Sequence, residues 1–285
     1  MAETVFAPAK INLTLHVGAR RADSYHDLES LVVFADAGDS LQLLESDALT
    51  LLIDGPFAGD LRNEPDNLVL RAARALAAGA GIVPAARIVL TKNLPVASGL
   101  GGGSADAAAA LRGLSKLWRL GIAGAELAEI AFGLGADVPA CLAGVPVYME
   151  GTGERLTQIL DLPPLDFVLV NPGAAVSTAE VFARLDARSG IGHPPPRFAT
   201  RDALIGYLDR DRNDLELPAG QIAPVIREAI AAICDHETAL VVRMSGSGAT
   251  CFGIFADQAA AQHAATKIAT AHPDWWVKVA RTLGA

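Results

Sequence analysis

Apolar and polar residues alternate strictly along residues 10–17. The apolar side chains take every second position, and the positions between them hold Lys10, Asn12, Thr14 and His16. A period of two is typical of a strand with one buried face and one polar face. We therefore predict a half-buried strand from which Lys10 and Asn12 project on the same side. His16 shares that side, and we interpret it as structural.

Hydrophobic patterning predicts strands and helices in mixed order over the following part of the chain. Strands are predicted over residues 28–35 and 88–90, and a hairpin is predicted from residues 41–45 and 48–53. Three helices are predicted, over residues 66–78, from a glycine-rich segment to about residue 117, and over residues 125–132. Two short strands around Val147 and Leu156 flank a turn at residues 151–154.

A pair of prolines, Pro163-Pro164, is the best candidate for a linker between two domains. Beyond it the pattern predicts strands over residues 167–170, 240–244, 250–255 and 275–279, with helices over residues 178–187, 200–209, 221–234 and 257–271. This order resembles the split βαβ, ferredoxin-like arrangement. We predict an α+β protein with two domains, residues 1–160 and 161–285.

Composition excludes several classes of protein. The 285 residues are 51% hydrophobic, too apolar for a disordered chain, and a net charge of −9 is unfavourable for binding nucleic acid. Three cysteines without a C-x-x-C pair fit neither a disulfide framework nor a structural zinc site. No uncharged stretch approaches the roughly 18 residues of a membrane helix, and no secretory signal is readable. These observations predict a cytoplasmic protein that binds neither nucleic acid nor membrane.

Four glycines fall within five residues, at Gly99, Gly101, Gly102 and Gly103, just before an Ala-rich helix. Glycines let backbone N–H groups approach a ligand closely, and the start of a helix offers unpaired N–H groups and a partial positive charge. The segment therefore predicts a site for a di- or triphosphate. A hinge or a close helix–strand contact is the alternative. We interpret Ser104 as a helix cap or a ligand contact, and Asp106 as an acid of the first turn that complements the helix dipole.

The segment fits neither of the two common phosphate loops. The chain contains no Gly-Lys dipeptide, which the Walker loop requires, and the glycine spacing breaks the G-x-G-x-x-G pattern of dinucleotide-binding proteins. Instead, residues 95–105 resemble the phosphate loop of the GHMP kinases, and Ser245-Gly-Ser-Gly-Ala-Thr resembles the C-terminal glycine motif of that superfamily. Residues 8–17, 24–30 and 135–139 narrow the resemblance to the 4-diphosphocytidyl-2-C-methyl-D-erythritol kinases.

This resemblance implies a GHMP-kinase-like two-domain fold with a ribosomal-S5-domain-2-like N-terminal half and a ferredoxin-like C-terminal half. It implies transfer of the γ-phosphoryl group of ATP to the 2-hydroxyl of a substrate that carries a cytidine diphosphate group, in non-mevalonate isoprenoid biosynthesis. Magnesium should accompany ATP, held mostly by phosphate and water, with Ser104 the only protein ligand we suggest. The resemblance leaves open whether the protein is a monomer or a homodimer.

The resemblance also implies roles for individual residues. Asp137 would be the catalytic base, and Lys10 would keep the Asp137 carboxylate ionised and polarise the acceptor hydroxyl. Residues 245–248 would approach the phosphates; a plain hairpin turn is the alternative there. The implied ATP-binding residues are Pro95, Val96, Ala97, Ser98, Gly99, Leu100, Gly101, Gly102, Gly103, Ser104 and Ala105.

The resemblance further implies four residues that bind the acceptor substrate. Tyr25 would stack on the cytosine ring, His26 would bond its edge, and Asn12 would contact the substrate. Phe182 would be a second stacking aromatic, although a single Phe on a helix is equally typical of a core. Two other functions stay open: a GHMP kinase with a mevalonate- or homoserine-type acceptor, and a protein that binds a nucleotide without catalysis. A nicotinamide dehydrogenase is disfavoured by the broken glycine fingerprint.

Overall fold

The computed structural model describes residues 3–22, 25–61, 66–185 and 191–284 of the 285-residue chain. The chain forms two compact units, each built from separate stretches of sequence. The first unit comprises Met1–Ala9, Gly38–Val96 and Gly101–Gly144, and the second comprises Lys10–Ala37, Ala97–Leu100 and Val145–Ala285. The domain boundary between residues 160 and 161 stays a prediction.

Strands and helices are interspersed along the described residues, which confirms the α+β prediction. The strands are β1 (Glu3–Asn12), β2 (His16–Arg20), β3 (His26–Leu44), β4 (Thr50–Asp54), β5 (Arg87–Thr91), β6 (Val147–Gly151), β7 (Arg155–Gln158), β8 (Asp166–Asn171), β9 (Ala239–Met244), β10 (Cys251–Phe255) and β11 (Trp276–Arg281). The helices are α1 (Leu68–Gly79), α2 (Gly102–Leu117), α3 (Gly124–Leu134), α4 (Val138–Ala143), α5 (Thr178–Ala183), α6 (Arg201–Asp209), α7 (Glu216–Ile222), α8 (Val225–Cys234) and α9 (Gln258–Ala271), with a 3-10 turn at Ala58–Leu61.

In the first unit, β5 lies between two strands that are neighbours in sequence. It pairs antiparallel with residues 40–44 of β3 and parallel with β4. The predicted hairpin of residues 41–45 and 48–53 is therefore wrong. Both of its strands form, but they do not pair with each other. Each pairs with β5, which comes later in the sequence.

Helix α2 is the centre of the helical layer of the first unit, where α1, α3 and α4 pack on it. The helix α1 begins at the N-cap Asn67, whose side chain accepts a hydrogen bond from Val69 N at 2.9 Å. Residues 107–110 are buried alanines, and their small side chains allow α2 to pack closely against its neighbours. Helix α4 was not predicted, because its six residues are too few to show a period.

The second unit contains a four-stranded antiparallel sheet in the order β11-β8-β10-β9. Helices α8 and α9 pack on this sheet, and the core between them is built from apolar side chains such as Val168, Ile226 and Phe255. The chain order of these strands and helices confirms the predicted ferredoxin-like arrangement. The helix predicted over residues 221–234 is two helices, because Pro224 follows an extended Ala223 and begins a new helix.

The first predicted strand needs a larger correction. Residues 10–17 do not form one strand, because β1 ends at Asn12 and β2 begins at His16, and both the apolar and the polar side chains along them are buried. Lys10 is 4% exposed and Asn12 is 2% exposed, so the alternation does not mark a solvent-facing side. Elsewhere in this unit, the first part of β3 pairs with β2 and β6, and β6 pairs with β7. Among the described residues, no helix combines the length and the apolar composition needed to cross a membrane.

Candidate functional site

The end of β1 is tied to the glycine loop and to the C-terminal glycine motif within the second unit. Lys10 N donates a hydrogen bond to Leu100 O at 2.8 Å, and Asn12 N donates to Ser245 Oγ at 3.1 Å. The Asn12 side-chain amide donates to Ser30 Oγ at 2.7 Å, while its carbonyl oxygen is buried without a hydrogen-bond partner. A buried, unpaired acceptor costs free energy unless a ligand satisfies it. Asn12 therefore fits the predicted contact with a substrate.

Residues 97–100 of the glycine loop are pressed against the turn at residues 245–248. Ser245 Oγ donates to Gly99 O at 3.0 Å, and Thr250 N donates to Ser98 O at 3.0 Å. Gly99 has a φ of +78°, and a Cβ built on it would lie 2.3 Å from Ser245 O. Gly99 is thus required both by its backbone conformation and by the close approach of the turn.

The glycine loop ends in the first unit, where Gly101 begins helix α2. Gly101 is the N-cap, with the left-handed φ of +62°, and Gly102 is the first helical residue. Ser104 is the third residue of the helix, so the prediction that it caps the helix is wrong. The first turn leaves N–H groups without intrahelical acceptors, and a Cβ on Gly103 would meet nothing within 4 Å. This open, electropositive turn fits an anionic group such as a phosphate.

Beneath that turn lies a cluster of three buried charged side chains that the sequence analysis missed. Lys92 Nζ donates to Asp39 Oδ2 at 2.5 Å and to Asp106 Oδ2 at 2.8 Å. Asp106 lies in the second turn of α2 and is 2% exposed, so its interpretation as a first-turn acid facing the dipole is wrong. A lone acid before a run of alanines was the available signal that this position is buried.

The charges of this cluster alter the proton affinity of its members. Burial raises the pKa of Asp106 to about 7; the positive charge of Lys92 opposes the rise and the negative charge of Asp39 adds to it. Burial alone would lower the pKa of Lys92, but Asp106 and Asp39 outweigh burial and raise it.

Asp137 directly precedes α4 in the first unit. It is the N-cap position by sequence order, yet its side chain makes no capping hydrogen bond with the helix, and it is half-buried. Gly135 ends α3, and Val138 N donates to Gly135 O at 3.0 Å, so a tight turn fixes the backbone on both sides of Asp137. The side chain of Asp137 therefore does not serve as the cap of α4.

Two of the predicted substrate residues are brought together in the second unit. The rings of His26 and Phe182 stack with centroids 5.4 Å apart and planes at 30°, and His26 Nδ1 lies 3.2 Å from Gly18 O. Tyr25 is adjacent in sequence and 62% exposed. The exposed phenol ring of Tyr25 and the stacked rings of His26 and Phe182 are each suited to contact with a planar heterocycle. Ser24, the first residue of this motif, lies outside the described residues.

Two further predictions concern His16 and magnesium. His16 Nε2 lies 2.5 Å from Asp211 Oδ1, in agreement with a structural role. Within the part of the chain that the structure describes, no group of three or more His, Cys, Asp or Glu side chains could hold a metal ion. The nearest carboxylates below the first turn of α2, Asp39 and Asp106, are bonded to Lys92. The binding of magnesium through phosphate and water stays a prediction.

Comparison with known proteins gives a consistent result. Residues 67–145 match the model of the GHMP kinases N terminal domain, and residues 199–274 match that of the GHMP kinases C terminal domain. A protein of Parvibaculum lavamentivorans named 4-diphosphocytidyl-2-C-methyl-D-erythritol kinase is 50% identical, with 99% of this chain and 98% of that protein covered. One of the same name from Ruegeria pomeroyi is 52% identical, with 99% of this chain and all (100%) of that protein covered.

Solved structures agree with these matches. The crystal structure of a 4-(cytidine 5'-diphospho)-2C-methyl-D-erythritol kinase is similar with a TM-score of 0.80 and 33% identity, and 100% of each chain is covered. A homoserine kinase from Cytophaga hutchinsonii is similar with a TM-score of 0.72 and 21% identity, with 99% of this chain and 94% of that chain covered. At that identity the second similarity indicates a common fold only.

Proposed function

This chain belongs to the 4-diphosphocytidyl-2-C-methyl-D-erythritol kinase family of the GHMP kinases, and from this premise we propose the reaction that it catalyses. The 2-hydroxyl oxygen of 4-diphosphocytidyl-2-C-methyl-D-erythritol attacks the γ-phosphorus of ATP. The bond from that phosphorus to the β,γ-bridging oxygen breaks, ADP leaves, and the 2-phosphate is formed. The open first turn of α2, with its left-handed start at Gly101 and clear space at Gly103, is the observation that carries the ATP side of this proposal.

Phosphoryl transfer requires positioning and the neutralisation of charge that spreads over the phosphate oxygens. We assign the first requirement on the ATP side to residues 95–105, whose backbone N–H groups would hold the phosphates. Magnesium bound with ATP would supply further neutralisation of the phosphate charge, with Ser104 as the protein side chain that we suggest for it. Lys10 would contribute a positive charge. The hydrogen bond that its backbone N–H donates to Leu100 O supports this role because it fixes Lys10 beside the loop.

The acceptor hydroxyl must lose a proton, and we assign this proton to the Asp137 carboxylate. The tight turn between Gly135 and Val138, which fixes the backbone at Asp137, supports that assignment. On the substrate side, the stacked rings of His26 and Phe182 and the exposed ring of Tyr25 support a cytosine pocket, and the unpaired Asn12 carbonyl supports a contact with a substrate donor. The cytoplasmic location and the choice between monomer and homodimer stay predictions.

A coupled assay of ADP release tests the function directly. The purified protein is supplied with ATP and Mg²⁺ and with 4-diphosphocytidyl-2-C-methyl-D-erythritol, mevalonate or homoserine. We expect ADP release that depends on the cytidyl substrate only. Turnover of mevalonate or homoserine in its place would move the chain to another GHMP activity, and nucleotide binding without ADP release in any arm would indicate a binding protein.

Asp137→Asn tests the assigned base in the same assay. The variant should fold normally and lose at least about 100-fold in kcat, or about 2.7 kcal/mol, because a positioned base contributes on that order. Asp202→Asn, an exposed acid in the first turn of α6, is the matched control and should retain turnover. Turnover of Asp137→Asn near that of the control would remove Asp137 from the mechanism.

A further inference from the structure

The carboxylate of Glu29 belongs to the same strand as His26, β3, and has no part in the mechanism above. Its residue is 3% exposed, yet the carboxylate has several hydrogen-bond partners. Oε1 accepts from Gly192 N and, at 3.2 Å, from His193 N. Oε2 accepts from Tyr148 OH at 3.2 Å and lies 2.9 Å from His193 Nδ1. Glu29 therefore anchors a segment of chain that is distant in sequence.

These hydrogen bonds favour the ionised form of Glu29. Burial alone would raise the pKa of its carboxyl, but the bonds from Gly192, His193 and Tyr148 outweigh burial and lower that pKa. Hydrogen bonds to an ionised group are stronger than bonds between neutral groups. Residues 191–193 are themselves exposed, so the bonds to Glu29 are a large part of what holds this segment on β3.

The segment 191–193 also covers Gly18 in β2. The register between β2 and β3 shifts by one residue within residues 17–20, as it does at a β-bulge, and Gly18 lies in that stretch. A Cβ built on Gly18 would be 2.7 Å from Ile191 Cδ1. Ile191 thus packs directly on the backbone of Gly18, in space that any other residue would fill with its own side chain.

The carbonyl group of Gly18 determines the state of the His26 ring. His26 Nδ1 lies 3.2 Å from Gly18 O. A carbonyl oxygen can only accept, so Nδ1 carries the hydrogen of this bond, and Nε2 of the neutral ring is an acceptor. An acceptor suits the exocyclic amino group of cytosine and is repelled by the carbonyl oxygen that uracil has in its place.

We propose that Glu29 is a positioning residue for the cytosine pocket: it holds the segment 191–193 on Gly18 and thereby keeps the His26 ring in the tautomer that distinguishes cytosine from uracil. This inference rests on the proposed function, since it concerns the same substrate pocket. Glu29 itself contacts no substrate and acts through Ile191 and Gly18. Without the segment, the Gly18 carbonyl could turn away from His26, because glycine has the widest range of backbone conformations.

Isothermal titration calorimetry with CDP and with UDP tests the proposal without turnover. Glu29→Ala removes the anchor of the segment. Glu29→Gln is the conservative variant, because it keeps an acceptor oxygen for the two backbone N–H groups and its amide can donate to the Tyr148 hydroxyl. Glu237→Ala removes an exposed glutamate from the same unit and is the matched control. The two dissociation constants are measured for each full-length protein at one pH.

We expect the wild type to bind CDP at least about tenfold more tightly than UDP, because UDP presents a second acceptor to Nε2 of His26. Glu29→Ala should weaken the binding of CDP about tenfold and that of UDP less than about twofold, so the preference for CDP is lost. Glu29→Gln should bind CDP within about threefold of the wild type, since the geometry of the anchor is kept. The control should bind both ligands as the wild type does.

Gly192→Ala disturbs the segment without a change at Glu29. Gly192 has a φ of +108°, and a Cβ built on it would meet nothing within 4 Å, so alanine introduces backbone strain and no clash. We expect the same selective loss of CDP binding, of about threefold. Because Gly192 is exposed, this variant decides the proposal if Glu29→Ala does not fold.

The outcomes separate this proposal from the proposed function. If the wild type releases no ADP with the cytidyl substrate, the proposed function fails whatever the two affinities are. If an active wild type binds CDP and UDP equally well, the tautomer of His26 does not distinguish the bases and the proposal is wrong. If Glu29→Ala, or Gly192→Ala in its place, weakens the binding of both ligands equally or of neither, the anchor is structural only.

Discussion

Residues 97–100 of the glycine loop are held by neutral hydrogen bonds in the second unit, whereas the helix that follows them is held by buried charges in the first. Around Gly99 the partners are a serine hydroxyl and backbone amides and carbonyls. Beneath Gly102 they are two carboxylates and an ammonium group. Neutral bonds keep their strength across the physiological pH range, while a buried charge cluster with a titrating member does not. One loop thus combines a fixed part and a part that responds to pH.

The largest expected effect comes from Gly99→Ala. The new methyl group would meet Ser245 O at 2.3 Å on a backbone with φ of +78°, so steric conflict and left-handed strain act together. We expect a loss of more than about 4 kcal/mol in the free energy of unfolding, measured by urea denaturation. The loss should be the same at pH 6 and pH 8, because no titrating group is involved.

Gly103→Ala is the matched control for this glycine. Nothing lies within 4 Å of a Cβ at that helical position, so alanine should raise stability by about 0.5–1 kcal/mol. If Gly99→Ala and Gly103→Ala change stability by similar amounts, the close approach of residues 245–248 to Gly99 does not hold the loop.

Ser245→Ala should have an intermediate effect. Its hydroxyl accepts from Asn12 N and donates to Gly99 O, and both backbone groups would lose a buried partner. We expect a loss of about 2 kcal/mol in the free energy of unfolding, again independent of pH. Ser247→Ala removes a hydroxyl from the same turn whose bond to Thr178 is exposed, and it should cost less than about 0.5 kcal/mol. Equal losses for the two serines would contradict the special role of Ser245.

Prediction from sequence succeeded where a structure depends on local pattern. Helix α1 begins within two residues of its predicted start because Asn67 caps it, and the glycine loop was recognised because four glycines before a helix are themselves a local signal. The ferredoxin-like order of the second half was likewise readable from the order of periodic segments, since that fold is defined by its order of elements.

Prediction failed where a long-range partner decides the outcome. The hairpin after residue 40 is replaced by pairing with β5, and no pattern within residues 41–53 specifies that insertion.

The charged cluster joins Lys92 to Asp39, 53 residues away, and to Asp106, 14 residues away. Asp106 was misread because α2 begins at Gly102, so the acid falls in the second turn, where it faces the interior. Lys10 and Asn12 were predicted on the polar side of a half-buried strand, and that side is buried as well, for the same reason: alternation shows which residues share a side, not what covers it.

The pH dependence of stability that the cluster should produce is small at each single step of pH, and it is the measurement that most sharply separates the two parts of the loop. The pKa of Asp106 is about 7 in the folded protein and 3.8 as an unperturbed group, so between these values the folded chain holds a proton that the unfolded chain has released. The free energy of unfolding contributed by this group therefore falls as the pH rises from 4 to 7. One proton gives a slope of at most about 1.4 kcal/mol per pH unit.

Urea denaturation of the wild type and Asp106→Asn at half-unit steps from pH 5 to pH 8 isolates this contribution. The difference between the two unfolding free energies should change by about 1 kcal/mol per pH unit near pH 6 and level off above pH 7.5, where Asp106 is ionised in both states. The same comparison between Ser245→Ala and the wild type should give a constant difference, because both of its lost bonds are neutral. A flat profile for Asp106→Asn would mean that the cluster holds no proton at neutral pH, and the contrast between a fixed and a responsive part of the loop would then have no thermodynamic basis.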